Sequence, residues 1–192
     1  MIYFLIASYL IGSISSAIII CKVAGLPDPR TQGSKNPGAT NVLRFGGKKI
    51  ASFVLIFDGL KGAIPVITAN YFGLSLFELT FILLFAFLGH VFPLFFGFKG
   101  GKGVATYLGG LIGINLLIGL TFAIIWLIVA KVLKFSSLAA LIATILSPIY
   151  FYLITANLQA ALVIGLIGLF IIYNHRANIK RLIKKEEDII QS

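Results

Sequence analysis

Acidic residues are scarce in this chain. Six of its 192 residues are Asp or Glu against 16 Lys and Arg; charged residues make up 11% of the total and apolar ones 59%. A water-soluble domain would carry about 25% charged and about 45–50% apolar residues, so an ordinary cytosolic protein is excluded. The apolar runs are continuous rather than alternating with polar residues, which argues against a water-filled barrel of strands. The lone cysteine, Cys21, lies in an apolar run, so an intrachain disulfide and a multi-cysteine metal site are both ruled out. Nothing basic precedes the first apolar run, Met1 to Ile11, as it would in a signal peptide, and that run reads as a retained helix. What remains is an all-α polytopic membrane protein, a single domain over 1–192. No soluble domain, low-complexity segment or internal repeat is evident.

Five apolar stretches, at roughly 2–24, 50–72, 75–98, 136–154 and 158–174, approach the ~20 residues that a helix needs to cross the hydrocarbon. Val104 to Leu133 is 30 residues, ~45 Å as one helix, too long for one comfortable crossing and short for two. Charge decides. Every Lys and Arg except Lys61 falls into four clusters, at 22–49, 99–102, 131–134 and 176–185. If 104–133 turns near Gly113–Gly119, all four clusters share one face and the opposite loops hold no Lys or Arg. The positive-inside rule then gives seven transmembrane helices, the amino terminus outside and the carboxyl terminus in the cytoplasm. Gly109 and Gly113, and Gly12 with Ser15 and Ser16, would let helices approach closely.

Polar residues collect in three segments on the positive face. The first runs from Asp28 to Arg44. Gly33 and Gly38 allow backbone amides to converge on an anion, while Ser34, Asn36, Thr40 and Asn41 add short donors and Arg30, Lys35 and Arg44 add charge. The second, Phe98 to Thr106, places Gly100, Gly101, Lys102 and Gly103 at a helix start, where bare amides and the dipole favour anions. It is not a Walker A loop, because no Ser or Thr follows Lys102. The third begins at Asn174, where His175 and Asn178 share a helical face and His175 has a pKa suited to proton transfer. Plainer readings stand beside these: a basic loop on anionic lipid, a flexible turn, and a headgroup anchor. Asp58 and Lys61, three residues apart, can neutralise one another within the membrane. His90 could line a site or pack, and Glu78 has no assigned role.

Four cations and a set of backbone donors on one face suit two phosphates, and a membrane setting suits an acyl chain or an isoprenoid. The motifs themselves resemble the bacterial membrane acylphosphate:glycerol-3-phosphate acyltransferases, the PlsY family. The resemblance rests on Gly-Ser-Ile at 12–14, Gly-Ser-x-Asn-Pro-Gly-Ala-Thr-Asn-x-x-Arg at 33–44 and Asp-Gly-Leu-Lys-Gly at 58–62. It continues with Gly-His-x-Phe-Pro at 89–93, Phe-Lys-Gly-Gly-Lys-Gly-Val-Ala-Thr at 98–106 and His-Arg-x-Asn-Ile-x-Arg-Leu at 175–182. Three positions depart from the family pattern. Lys35 and Lys185 stand where Gly is usual, and Ser15 where Pro is common.

The resemblance implies transfer of a fatty acyl group from acyl phosphate to the 1-hydroxyl of glycerol 3-phosphate, giving lysophosphatidic acid and inorganic phosphate. It implies catalytic roles for Ser34, Arg44, His175 and Asn178, with the Gly100–Gly103 segment binding glycerol 3-phosphate. Acyl phosphate is already activated, so direct attack by the hydroxyl is expected. Ser34 then acts as a donor, its minority role being that of nucleophile. The proton passes either to His175 or to a substrate phosphate. No cofactor, metal or nucleic acid is expected. The expected partners are the two substrates and membrane lipids, and the expected state is a monomer in the bacterial inner membrane with its site facing the cytoplasm. The alternatives are an anion or phospholipid transporter, whose polar groups would lie near the midplane, and another lipid-phosphate transferase, which would need metal-binding acidic clusters that are missing here.

Overall fold

The computed structural model describes residues 1–190, and among them all regular secondary structure is helical, without strands. The first apolar run is two helices, α1 (Ile2–Gly12) and α2 (Ser16–Val23), interrupted where short polar side chains compete for the backbone. Ser13 Oγ donates to the Tyr9 carbonyl (2.8 Å), and Ser15 occupies the cap position of α2 in an extended conformation. Helix α3 (Ala39–Tyr71) starts eleven residues before the apolar stretch read at 50–72 and bends at Gly47, whose φ of 77° lies outside the helical region. A capping box of Ser75 and Glu78 opens α4 (Leu76–Val91), which gives Glu78 a structural role. That helix stops before Pro93, which has no N–H to continue it.

The 30-residue stretch from Val104 does divide, into α5 (Val104–Ile114) and α6 (Leu116–Leu133). Asn115 makes the break. Its side-chain oxygen accepts from the amides of Leu117 (2.9 Å) and Ile118 (3.3 Å), so one residue ends α5 and caps α6. Helices α7 (Ser136–Thr155) and α8 (Leu158–Asn174) follow, and α9 (Arg176–Ile183) departs from α8 at 59°. Counting α1 and α2 together, five helical segments are long and apolar enough to cross a membrane, and the bent pair α8–α9 makes a sixth. Helix α5 is apolar but shorter.

Glycine sets how the helices meet. A Cβ on Gly12 would strike the Ala86 carbonyl of α4, and one on Gly89 the Tyr9 carbonyl of α1. Helices α3 and α5 touch in the same way, Gly109 against the Gly59 carbonyl and Gly62 against that of Thr106. Phe87, Tyr107, Phe122 and Phe151 fill the interior, while Phe53, Ile56, Phe57, Leu120, Ile124 and Ile128 face outward as an apolar surface far too extensive for a soluble protein.

The loops that carry positive charge gather at one end of the bundle. Arg30 donates to the Phe96 carbonyl (3.1 Å), Arg44 pairs with Asp188 (2.9 Å), and the Ile190 amide donates to the Lys134 carbonyl (2.7 Å). Those contacts join the segment after α2, the turn after α4, the α6–α7 link and the tail.

Candidate active site

A cavity of about 340 Å³ opens at that end. Its polar wall is made by the starts of three helices. Gly38, Ala39 and Thr40 come from α3, Gly103, Val104 and Ala105 from α5, and Ser136 and Ser137 from α7. No side chain caps any of the three, so their first amides and positive dipole ends are available to an anion. The turn into α5 requires glycine at 103. Its φ is 86°, and a Cβ there would enter the Phe87 ring.

Arg44, a turn and a half into α3, Lys102, His175 and Asn178 join the polar wall together with Ser34, Asn36 and Asn41, and Asp58, His90 and Glu187 line the cavity as well. Lys102 Nζ donates to Asn178 Oδ1, and Asn178 Nδ2 donates to Glu187 Oε1 (2.6 Å). Glu187 also accepts from Ser137 (2.7 Å) and from Arg181 Nε (2.7 Å). Burial works against the Glu187 charge, but these donors and the Arg181 charge hold its carboxyl below the usual carboxylate range. Burial lowers the Lys102 pKa to about 8; Arg181 and Arg44 push the same way and Glu187 opposes them. His175 Nδ1 lies 2.8 Å from the Ile171 carbonyl. A carbonyl only accepts, so that nitrogen carries the proton and Nε2 is left with its lone pair. Burial first and the Lys102 charge second bring the His175 pKa down to about 4, so the ring is neutral at pH 7.

An apolar wall faces this polar one, formed by Leu55, Leu108, Phe122, Ala123, Trp126, Leu127 and Ala140 from α3, α5, α6 and α7. One cavity therefore offers charge at one side and a surface fit for hydrocarbon at the other.

The profile of the family described as glycerol-3-phosphate acyltransferase matches residues 2–185. A glycerol-3-phosphate acyltransferase of Ruthia magnifica is 61% identical over 98% of this chain and 96% of its own. Two crystal structures of PlsY, an integral membrane glycerol 3-phosphate acyltransferase, superpose over 99% of this chain and 95% of theirs. The glycerol 3-phosphate form does so with a TM-score of 0.94 at 40% identity, and the lysophosphatidic acid form with 0.91 at 39%. The chain belongs to the glycerol-3-phosphate acyltransferase family. It is thus an integral membrane enzyme, and the transport alternative falls away.

Of the residues singled out in the sequence, Ser34, Asn36, Gly38, Thr40, Asn41, Arg44, Lys102, Gly103, His175 and Asn178 line the cavity; Gly33, Gly100 and Gly101 do not. The amides of Gly100 and Gly101 are already committed, to the carbonyls of Val91 (3.1 Å) and His90 (3.2 Å), so they are not phosphate donors. Asn41 is committed too. Its oxygen accepts from the Ser34 amide (2.9 Å) and its nitrogen donates to the carbonyls of Pro29 (2.9 Å) and Gln32 (3.0 Å). It shapes the loop rather than holding phosphate, and Gly33 is glycine because a Cβ would meet that Asn41 oxygen. Arg30 is likewise spent, on Asp28 at 2.7 Å.

The three departures from the family pattern have backbone explanations. Lys35 (φ 57°) and Lys185 (φ 60°) both occupy the left-handed region where glycine is free of strain. Ser15 has φ −82° at a helix cap, a value proline also accepts. The sequence assigns no role to Ser137, Glu187 or Arg181, although Arg181 lies in the motif at 175–182. Glu187 was within reach, as the tail Glu of the family's last motif; Ser137 gave no sign beyond a pair of serines opening an apolar run.

Proposed function

We propose that this acyltransferase moves a fatty acyl group from acyl phosphate to the 1-hydroxyl of glycerol 3-phosphate, giving lysophosphatidic acid and inorganic phosphate. The observation that carries the proposal is the single cavity in which Arg44, Lys102 and three uncapped helix starts face an apolar wall. Two phosphates need that much positive potential, and the acyl chain needs the wall.

Lys102 and the start of α5 hold glycerol 3-phosphate; Arg44, the start of α3 and Ser34 hold the acyl phosphate and the oxyanion that develops on its carbonyl. The glycerol hydroxyl donates a hydrogen bond to His175 Nε2, which aims its oxygen at the acyl carbon. A new C–O ester bond forms, the bond from the acyl carbon to the phosphate oxygen breaks, and phosphate departs with the electron pair. As the C–O bond forms, the hydroxyl proton turns from His175 Nε2 to the departing phosphate and leaves on it. That phosphate, which gains a further negative charge as its bond to the acyl carbon breaks, is a far stronger base than an imidazole held at about 4. No acyl-enzyme intermediate is required, and Ser34 is a donor rather than a nucleophile.

The chain makes seven crossings as a monomeric single domain, amino terminus outside, with the site toward the cytoplasm of the bacterial inner membrane. The support is the charge-free character of the loops at 72–75, 115 and 156–157 against the basic opposite end. Helix α5 has 11 residues, ~16 Å at ~1.5 Å each. A helix that short cannot by itself cross ~30 Å of hydrocarbon, so the bilayer thins there or one of its ends lies below the surface.

The proposal is tested by incubating purified protein with acyl phosphate and labelled glycerol 3-phosphate without added metal. Labelled lysophosphatidic acid, with no acyl group trapped on the protein after acid quench, is the expected result. An acyl adduct on Ser34 overturns the direct mechanism, and absence of product overturns the donor assignment.

A further inference from the structure

Asp58, Lys61 and His90 form a charged cluster, 2%, 6% and 6% exposed, that the transfer reaction above does not use. Lys61 lies 2.8 Å from Asp58 and donates to the Ile14 carbonyl (3.0 Å), left free by the break between α1 and α2. His90 Nδ1 lies 3.2 Å from Thr106 Oγ1 and 3.7 Å from Asp58 Oδ1, so α3 and α5 fix the ring from one edge. The other edge bears on the Lys102 turn. Nε2 and the Pro37 carbonyl of the first loop both crowd the point where a Cβ on Gly101 would stand, the carbonyl 3.1 Å from it, so ring, turn and first loop meet on one face of Gly101. The His90 carbonyl holds the Gly101 amide as well.

We infer that His90 is a positioning residue: braced by Asp58 and Thr106, its ring packs on the face of Gly101 that also meets the Pro37 carbonyl and so sets the spacing between the two substrate loops. Lys102 follows Gly101 directly, so a displaced ring moves the ammonium group. Misplacement by ~1 Å costs on the order of 10²-fold in a reaction that depends on orientation. The inference rests on Lys102 holding glycerol 3-phosphate.

The test measures KM for each substrate, and kcat, in four variants. His90→Asn keeps a polar group near the Nδ1 position but cannot reach Gly101. It raises KM for glycerol 3-phosphate at least tenfold and leaves KM for acyl phosphate within twofold. Thr106→Val, matched in size and without the hydroxyl, raises the same constant several-fold, and Thr106→Ser restores it. This pair carries the test should His90→Asn not fold. If His90→Asn and Thr106→Val leave KM for glycerol 3-phosphate unchanged, or raise both KM values equally, the inference is overturned. Lys102→Met separates the two layers. A raised KM for glycerol 3-phosphate in Lys102→Met with none in the His90 and Thr106 variants sinks the positioning role alone. No change in Lys102→Met sinks the substrate assignment and the inference with it.

Discussion

Lys102 carries its charge where water is scarce, and that sets a pH limit. Its pKa of about 8 belongs to the free enzyme, before a phosphate arrives to raise it. As pH rises through 8 the amine loses its proton, and the glycerol 3-phosphate site as proposed above loses its cation. kcat/KM therefore falls above pH 8 while kcat, which reports the loaded enzyme, holds to higher pH; a steady-state pH series checks this. His175 imposes no limit near its ordinary pKa, because it stays neutral down to about 4. His175→Ala lowers kcat on the order of 10²-fold by removing the acceptor that aims the hydroxyl, without shifting any limb near pH 6, which belongs to phosphate. The depressed His175 pKa also has a stability consequence. Between its unfolded pKa and about 4 the unfolded chain binds the extra proton, so stability drops as pH falls through that window. Arg44→Ala abolishes product formation, and Arg44→Lys recovers little, because the forked pair of hydrogen bonds to phosphate goes with the guanidinium.

At the scale of elements, ends and breaks matter more than lengths. Asn115 ends one helix and caps the next, so Asn115→Ala costs about 1 kcal/mol, read as a lower Tm with turnover retained. Lys35 and Lys185 each hold a left-handed conformation that costs an L-residue roughly 1–2 kcal/mol. Lys185→Gly raises Tm and leaves kcat unchanged; a fall in Tm would show that the tail gains more from the lysine than it loses to strain. Charge placement made the division of 104–133 legible, and spacing alone could not have done so. The break within 2–24 and the early start of α3 were hidden, because both depend on tertiary partners. Lys61 takes up the Ile14 carbonyl only once α3 packs beside it, and Gly47 reads as loop in a sequence where it is a bend. The Gly100–Gly101 pair misled for a related reason. Glycine at a helix start signals free amides as readily as close packing, and here His90 and Val91 had already taken those amides.

The whole molecule is a charge gradient built on a glycine-packed bundle. Apolar faces form the outer surface, the opposite loops carry no cation, and one end concentrates the basic residues around a cavity that also has an apolar wall. A phosphorylated head and an acyl tail are thereby drawn to the same place by different forces. The convergence of three distant segments was foreseeable from charge alone, whereas the tail's part in it was not. The family's last motif marks Glu187 but not its partners: Glu187 and Asp188 act through tertiary contacts with Ser137, Asn178 and Arg44. The most direct test of the account uses sealed vesicles of known orientation, preloaded with acyl phosphate in the bilayer and given labelled glycerol 3-phosphate from outside. Inverted vesicles, cytoplasmic face outward, should make labelled lysophosphatidic acid at once, and right-side-out vesicles should make none until they are opened. Product from intact right-side-out vesicles alone would put Lys102 and His175 on the wrong side of the membrane and contradict the account.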